Sequence, residues 1–389
     1  MAKFEFFSVP RIVFGRGQFA RAGEIAASLG KCAMVVFNGG EELLARLADL
    51  LTHAGVRSVA FRQRGEPQVG DVDRATEAAR REACDMVIGL GGGSAIDAAK
   101  AVAGLLANGG AALDYMEVVG KGHKITRQAV PWIAIPTTAG TGAEVTRNAV
   151  IGAPERRFKA SIRGEQLLAR VALVDPELGV AVPPEVTARS GMDALCQCIE
   201  SYTSTGAQPM TDALAMQGVA LAARSLRRAF KDGADLAARE DMAMAALLSG
   251  ITLTNAGLGA VHGFAAPLGA NFPAPHGAVC AALLPHVIEA NVAALSAKSV
   301  DHPVLARYAA VGRALAGRND LGDSDAIDAA VRTTTELARD LRIAPLGQFG
   351  VRESDVPGMV ELAKKASSMR FNPVELTDAV LADVLRKAI

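Results

Sequence analysis

Three consecutive glycines and a serine, Gly91-Gly92-Gly93-Ser94, follow a short apolar run and precede a helical pattern. Such a segment can cradle a phosphate. Backbone without side chains approaches a pyrophosphate closely, and the unpaired N–H groups that open a helix favour the anion. Ser94 is the expected N-cap and adds a hydroxyl. The spacing is not G-x-G-x-x-G, so the ordinary dinucleotide fingerprint does not apply. A second small-residue loop, Pro136-Thr137-Thr138-Ala139-Gly140-Thr141-Gly142-Ala143-Glu144, offers three hydroxyls and two glycines. Two such loops after parallel strands point to a ligand crevice at the strand ends.

Histidines are few, six in all, yet His262, His276 and His286 fall within 25 residues of one another. Asp193 and Gln197 are four apart on an expected helix from Met192 to Ser204, so they share a face. Divalent cations of hard or borderline character accept Asp oxygen and His nitrogen, and a catalytic site leaves one position open. His286, followed by Val-Ile, reads as a packed core residue; His276, in a Gly/Pro-rich loop, is harder to explain by packing. Cys196 and Cys198 would point about 200° apart on one helix, so they read as buried structural thiols rather than half of a metal site.

These residues need a frame. Strand patterns at Cys32–Phe37, 56–62 and 85–90 alternate with helical stretches at 41–54 and 71–83, the signature of βαβ units and a parallel sheet. Further strands are expected at 132–135, 145–151, 158–162 and 171–174. Three prolines in PELGVAVPPEV (176–186) interrupt the pattern, and alanine-rich helical stretches follow to the C-terminus. The expected organisation is an α/β nucleotide-binding domain over 1–182 and an all-α domain over 183–389.

Composition narrows the function. The chain has 389 residues with 41 basic and 41 acidic side chains, so no cationic surplus awaits a nucleic-acid backbone. Aromatic residues are 4%, too few for base-stacking platforms. No stretch approaches the roughly 18 uninterrupted apolar residues of a membrane span, so no membrane role is expected. The N-terminal segment lacks an apolar signal core, and five unpaired-looking cysteines fit a reducing cytoplasm.

Four segments occur together in order: GGGSAIDAAK (91–100), IPTTAGTGAEVT (135–146), GMDAL (191–195), and His262 followed by PHG (275–277) and LLPH (283–286). In these segments the chain resembles the iron-containing, group III alcohol dehydrogenases, and the likeness runs from FSVPRIVFG near the N-terminus to NPVELTDAVL near the C-terminus. The resemblance implies a dehydroquinate-synthase-like fold and reversible hydride transfer between a nicotinamide cofactor, NAD or NADP, and a small neutral alcohol or aldehyde. It places Gly91, Gly92, Gly93 and Ser94 at the pyrophosphate, Asp97 near the cofactor, and Thr137, Thr138, Thr141 and Gly142 beside the pyrophosphate, nicotinamide ribose and ring. Asp193, His262 and His276 match three of the family's four ligands for a divalent metal, Fe or Zn. His262 and His276 are also the candidate catalytic residues. Relatives that prefer NAD commonly carry Asp at the end of the first strand; Asn38 stands there, so NADP(H) is expected to be accepted, although Glu41 and Glu42 follow. The family likeness also implies a homo-oligomer, a dimer or larger.

Two departures matter. Gln197 occupies the position of the fourth metal ligand, normally His, and Ala266 that of a further family histidine. An amide oxygen is a neutral, weaker donor than imidazole, so a site of Asp193, Gln197, His262 and His276 is expected to bind metal less tightly. Two other readings remain open at this point: a dehydroquinate-synthase-like lyase, and a cofactor-binding protein that has lost catalysis. The lyase reading is disfavoured because 191–204 and 262–277 contain no Lys or Arg for an anionic substrate.

Overall fold

The computed structural model describes residues 3–156 and 158–389. The chain divides into two compact units. One comprises Phe7–Thr138 and Gly142–Ala181; the other is Val182–Ile389 together with short pieces that include Ala139–Thr141.

The first unit runs β1 (Ile12–Phe14), α1 (Ala22–Ala27), β2 (Cys32–Phe37), α2 (Glu41–His53), β3 (Arg57–Arg62), α3 (Val69–Arg81), β4 (Met86–Gly91), α4 (Gly93–Asn108), α5 (Ala112–Tyr115) and β5 (Trp132–Pro136). It continues with β6 (Asn148–Ala153), β7 (Phe158–Arg163) and β8 (Val171–Val174). Six strands form a sheet in the order β1-β8-β5-β4-β2-β3, with every pairing parallel. The chain moves outward from β2 to β3 and then returns to the other side of β2 for β4. That reversal is the topological switch where such sheets bind ligands. Central β2 and β4 are buried along their whole length, as expected of strands covered on two faces. Ala33, Val35, Met86, Ile88 and Leu90 face a core shared with Ile25, Leu47 and Leu51 of α1 and α2. On the opposite face, Gly89 lets α4 approach closely: a Cβ there would stand 2.9 Å from that of Ala99.

Two expectations are corrected here. β6 and β7 do not join the parallel sheet but pair with each other as an antiparallel hairpin, Ala149 opposite Ile162. Ser94 is not the N-cap of α4; Gly92 is, and Ser94 lies inside the first turn.

The second unit is built from α6 (Pro184–Thr203), α7 (Pro209–Lys231), α8 (Leu236–Ala256), α9 (Ala260–Asn271), α10 (His276–Lys298), α11 (Pro303–Ala316), α12 (Asp323–Asp340), α13 (Val356–Lys365) and α14 (Asp378–Ala388). α6 starts earlier than its apolar pattern suggests because Pro184, at N1, has the fixed φ a first turn needs. Met192, Leu195, Val261, Phe264, Leu268, Val279 and Leu283 form the centre of its core. α10 is long and apolar enough by composition to cross a membrane, although His286, Glu289 and Asn291 interrupt its apolar run. However, 61% of its apolar window is buried within the protein, the signature of a core helix.

Candidate active site

The glycine turn is held from β2. Asn38 accepts from the Gly92 amide at 2.9 Å and donates to Ser94 Oγ at 2.7 Å, tying the two strand ends at the switch point together. Gly91 has φ +145°, and a Cβ on it would collide with Asn38 Oδ1, so only glycine closes this turn. With the Gly92 amide used internally, the N–H groups of Gly93 and Ser94 open α4 without carbonyls behind them and can meet an anion. Thr137 donates its amide to Gly91 O at 2.9 Å, and the Thr138 side chain lies against Gly92. Gly142 takes a left-handed φ of 60°, whereas Thr141 belongs with the helical unit. Asp97, one turn into α4, accepts from Lys100 Nζ at 3.3 Å and from the Val150 amide at 3.1 Å, pinning the β6–β7 hairpin.

The second cluster lies wholly in the helical unit. α6 presents Asp193, Cys196, Gln197 and Glu200 at i, i+3, i+4 and i+7, one continuous stripe, all buried. α9 brings His262, and α10 begins with His276 and carries Cys280 one turn later. Asp193 Oδ1 lies 3.3 Å from His262 Nε2 and 3.5 Å from His276 Nε2. Cys280 Sγ is 3.7 Å from each of those nitrogens. Glu200 fixes the arrangement: one oxygen takes the Val261 amide in the first turn of α9 at 2.8 Å, and the other holds His262 Nδ1 at 2.6 Å. His262 therefore keeps Nε2 free to face Asp193. Its side chain is 6% exposed, and that of His276 40%, so the cluster meets solvent at His276.

Gln197 turns its amide differently from a ligand. Its Nε2 donates to Asp193 Oδ2 at 3.3 Å, and its Oε1 accepts from Ser249 Oγ at 2.7 Å. Ala266, where the family has histidine, is exposed on α9. His286 is half-buried, its imidazole held below the usual range by burial.

The electrostatics of the cluster agree with its geometry. Burial would raise the Asp193 carboxyl, but His276 and His262 outweigh it and hold the group well below the usual carboxylate range. Burial likewise opposes ionisation of Cys280, yet the hydrogen bond from Cys196 and the two imidazoles hold its thiol well below the usual value. Both imidazoles are driven up despite burial, chiefly by Cys280 and Asp193. The cluster stabilises positive charge at its centre. An aspartate oxygen, two imidazole nitrogens and a sulfur, with a carboxylate behind one histidine, fit a divalent metal.

The sequence alone does not single out Cys280 or Glu200. Spacing was the available signal: Cys280 follows His276 by four residues, and Glu200 follows Asp193 by seven. Cys196, expected to be a packing thiol, hydrogen-bonds Cys280, whereas Cys198 faces away toward Gly218.

Residues 10–176 match the family model for iron-containing alcohol dehydrogenase, and 187–389 match that for the C-terminal part of the same family. The chain belongs to the iron-containing alcohol dehydrogenase family. It is 36% identical to 1,3-propanediol dehydrogenase of Klebsiella pneumoniae over 392 residues, covering 98% of each chain. A crystal structure of a 1,3-propanediol oxidoreductase superposes with a TM-score of 0.92 at 33% identity, covering 100% of both chains. The sulfoacetaldehyde reductase of Bifidobacterium kashiwanohense, solved with NAD+, gives a TM-score of 0.87 at 28% identity, covering 100% of this chain and 99% of that one. This family member is an alcohol dehydrogenase that works with a nicotinamide cofactor, on the α/β-plus-helical fold described above.

Proposed function

We propose that this dehydrogenase interconverts a small uncharged alcohol and its aldehyde, accepts NADP(H) as well as NAD(H), and acts as a cytoplasmic homo-oligomer. The observation that carries the substrate class is charge. The segments bearing Asp193, Glu200, His262 and His276, 191–204 and 262–277, contain no Lys or Arg, so they offer a carboxylate or sulfonate on the substrate acidic groups and no cationic side chain. Cytoplasmic location is supported by five free cysteines, Cys32 and Cys84 among them with sulfurs 3.4 Å apart. Association is supported by the prevalence of symmetric oligomers among soluble enzymes.

When bound, the nicotinamide gives or takes the hydride and a divalent cation withdraws charge from the substrate oxygen. The chain supplies the holding and the order. The amides of Gly93 and Ser94 would meet the pyrophosphate, with Asn38 keeping their turn closed. Asp193, His262 and His276 would hold the cation. Glu200 keeps a proton on His262 Nδ1, which leaves Nε2 with its lone pair as a donor.

Steady-state kinetics on matched aldehydes, one series uncharged and one ending in carboxylate or sulfonate, test this reading with NADPH and NADH. The uncharged series should win by at least about a hundredfold in kcat/KM, roughly 2.7 kcal/mol in the transition state. Preference for the anionic series would overturn the substrate class.

A further inference from the structure

One donor atom from each of Asp193, His262, His276 and Cys280 lies within 4.8 Å of every other. Their separations are those of ligands around an ion. With bonds of about 2.0–2.1 Å to oxygen and nitrogen and about 2.3 Å to sulfur, tetrahedral geometry sets O···N near ~3.3 Å and S···N near ~3.6 Å. The observed O···N distances are 3.3 and 3.5 Å and both S···N distances are 3.7 Å. A charge-assisted hydrogen bond between carboxylate and imidazole would be shorter, about 2.7–2.9 Å.

We propose that Cys280 is a metal ligand, its thiolate replacing the family's fourth imidazole, so that Asp193, His262, His276 and Cys280 together hold a thiophilic dication of the zinc type, which would expand to five-coordinate to polarise the substrate oxygen. The proposal rests on the reading that this cluster holds the enzyme's cation. Gln197 then lies outside the sphere and orients Asp193: its amide N–H holds Oδ2, and Oδ1 is left facing the two imidazoles. Cys196 lies behind the sulfur as a hydrogen-bond donor to it. Carboxylate and thiolate carry two negative charges, which balance a dication with the imidazoles neutral. Thiolate and imidazole donors also favour zinc over harder ions, and Zn²⁺ outranks Fe²⁺ in intrinsic affinity. His276 and Cys280 are one helical turn apart, so a single helix delivers two ligands to one centre.

The test uses the full chain stripped of metal and titrated with Co²⁺ as a spectroscopic probe. The wild type should bind one ion and show a strong near-ultraviolet thiolate-to-cobalt charge-transfer band. Cys280→Ser should lose that band and at least about tenfold in Zn²⁺ affinity, no less than the loss of an outer-shell partner costs. Cys196→Ser and Gln197→Ala should keep the band. In the unmutated protein, Zn²⁺ should protect the Cys280 peptide from alkylation, a readout that holds even if the variant does not fold. Cobalt bound without the band, a band lost with Cys196→Ser but kept in Cys280→Ser, or no metal uptake would each overturn the proposal. Aldehyde turnover, measured separately, distinguishes the two readings. The band without turnover leaves the ligand assignment standing and sinks the functional one; turnover without the band does the reverse.

Discussion

Asn38 stands where a carboxylate would select NAD by binding the ribose 2′-hydroxyl and repelling a 2′-phosphate. Its amide is spent on Gly92 and Ser94, so it neither grips the ribose nor opposes the phosphate. Arg62, at the end of β3, lies 4.5 Å over the ring of Phe37, the residue before Asn38, and is ion-paired with Glu41. An arginine so placed can exchange one carboxylate for a phosphate, a group that it binds bidentately. Arg62→Ala should therefore lower kcat/KM for NADPH by about tenfold or more, a loss of ~1.4 kcal/mol, and leave NADH within about twofold. Equal losses for both cofactors would show that Arg62 serves the sheet edge instead. At this scale the sequence was legible where a residue type is rare or its motif long: the glycine run, Asp193, His262 and His276. Cys280 was not, because a lone thiol in an alanine-leucine helix looks like core until the neighbouring histidine is seen on the same face. Asn38 was read as a determinant of cofactor choice, but its hydrogen bonds across β2 and β4 appear only once the strands are side by side.

Lys100 fastens one element to another. From inside α4 it donates to Thr146 Oγ1 and Asn148 O, both at 2.6 Å, and so anchors the helix to the start of β6. Glu144 is buried in the same region, and desolvation pushes its carboxyl up to about 7 in spite of a backbone hydrogen bond and Lys100. A carboxyl raised in the folded state favours folding while it is protonated. That contribution is complete below its unfolded value of about 4.5 and is lost as pH climbs through about 7. Wild-type stability should therefore fall relative to Glu144→Gln by up to about 3 kcal/mol between pH 4.5 and 8. Denaturant titrations of both proteins at several pH values measure this directly, and a gap that stays flat across that window rejects it. The long central strands and amphipathic helices were visible in the sequence because periodicity and burial coincide there. β1 was missed because three residues carry no period. The β6–β7 hairpin was misassigned because a strand's sequence does not say which partner it pairs with.

Each ligand should leave its own footprint on the molecule. All four proposed metal donors come from α6, α9 and α10, within the helical unit, whereas the glycine turn and Asn38 come from the α/β unit. A ligand that binds only the native state stabilises it by RT ln(1 + [L]/Kd), about 2.7 kcal/mol at a hundredfold excess over Kd. Amides that exchange through openings destroying the site should then slow by about a hundredfold, and those released by smaller fluctuations elsewhere should not. Hydrogen exchange on metal-stripped protein can resolve this. Zn²⁺ should protect 193–200, 260–268 and 276–284, where the donors sit on continuous helices, and NADP⁺ should protect 36–40 and 91–97. The two patterns are expected to be separable because α6 links Asp193 to Glu200, and Glu200 links α6 to the start of α9, without any group from the sheet. Protection by Zn²⁺ that appears first at the glycine turn would mean that the strongest metal ligands lie outside the helical cluster. The assignment of Asp193, His262, His276 and Cys280 would then fail as a set.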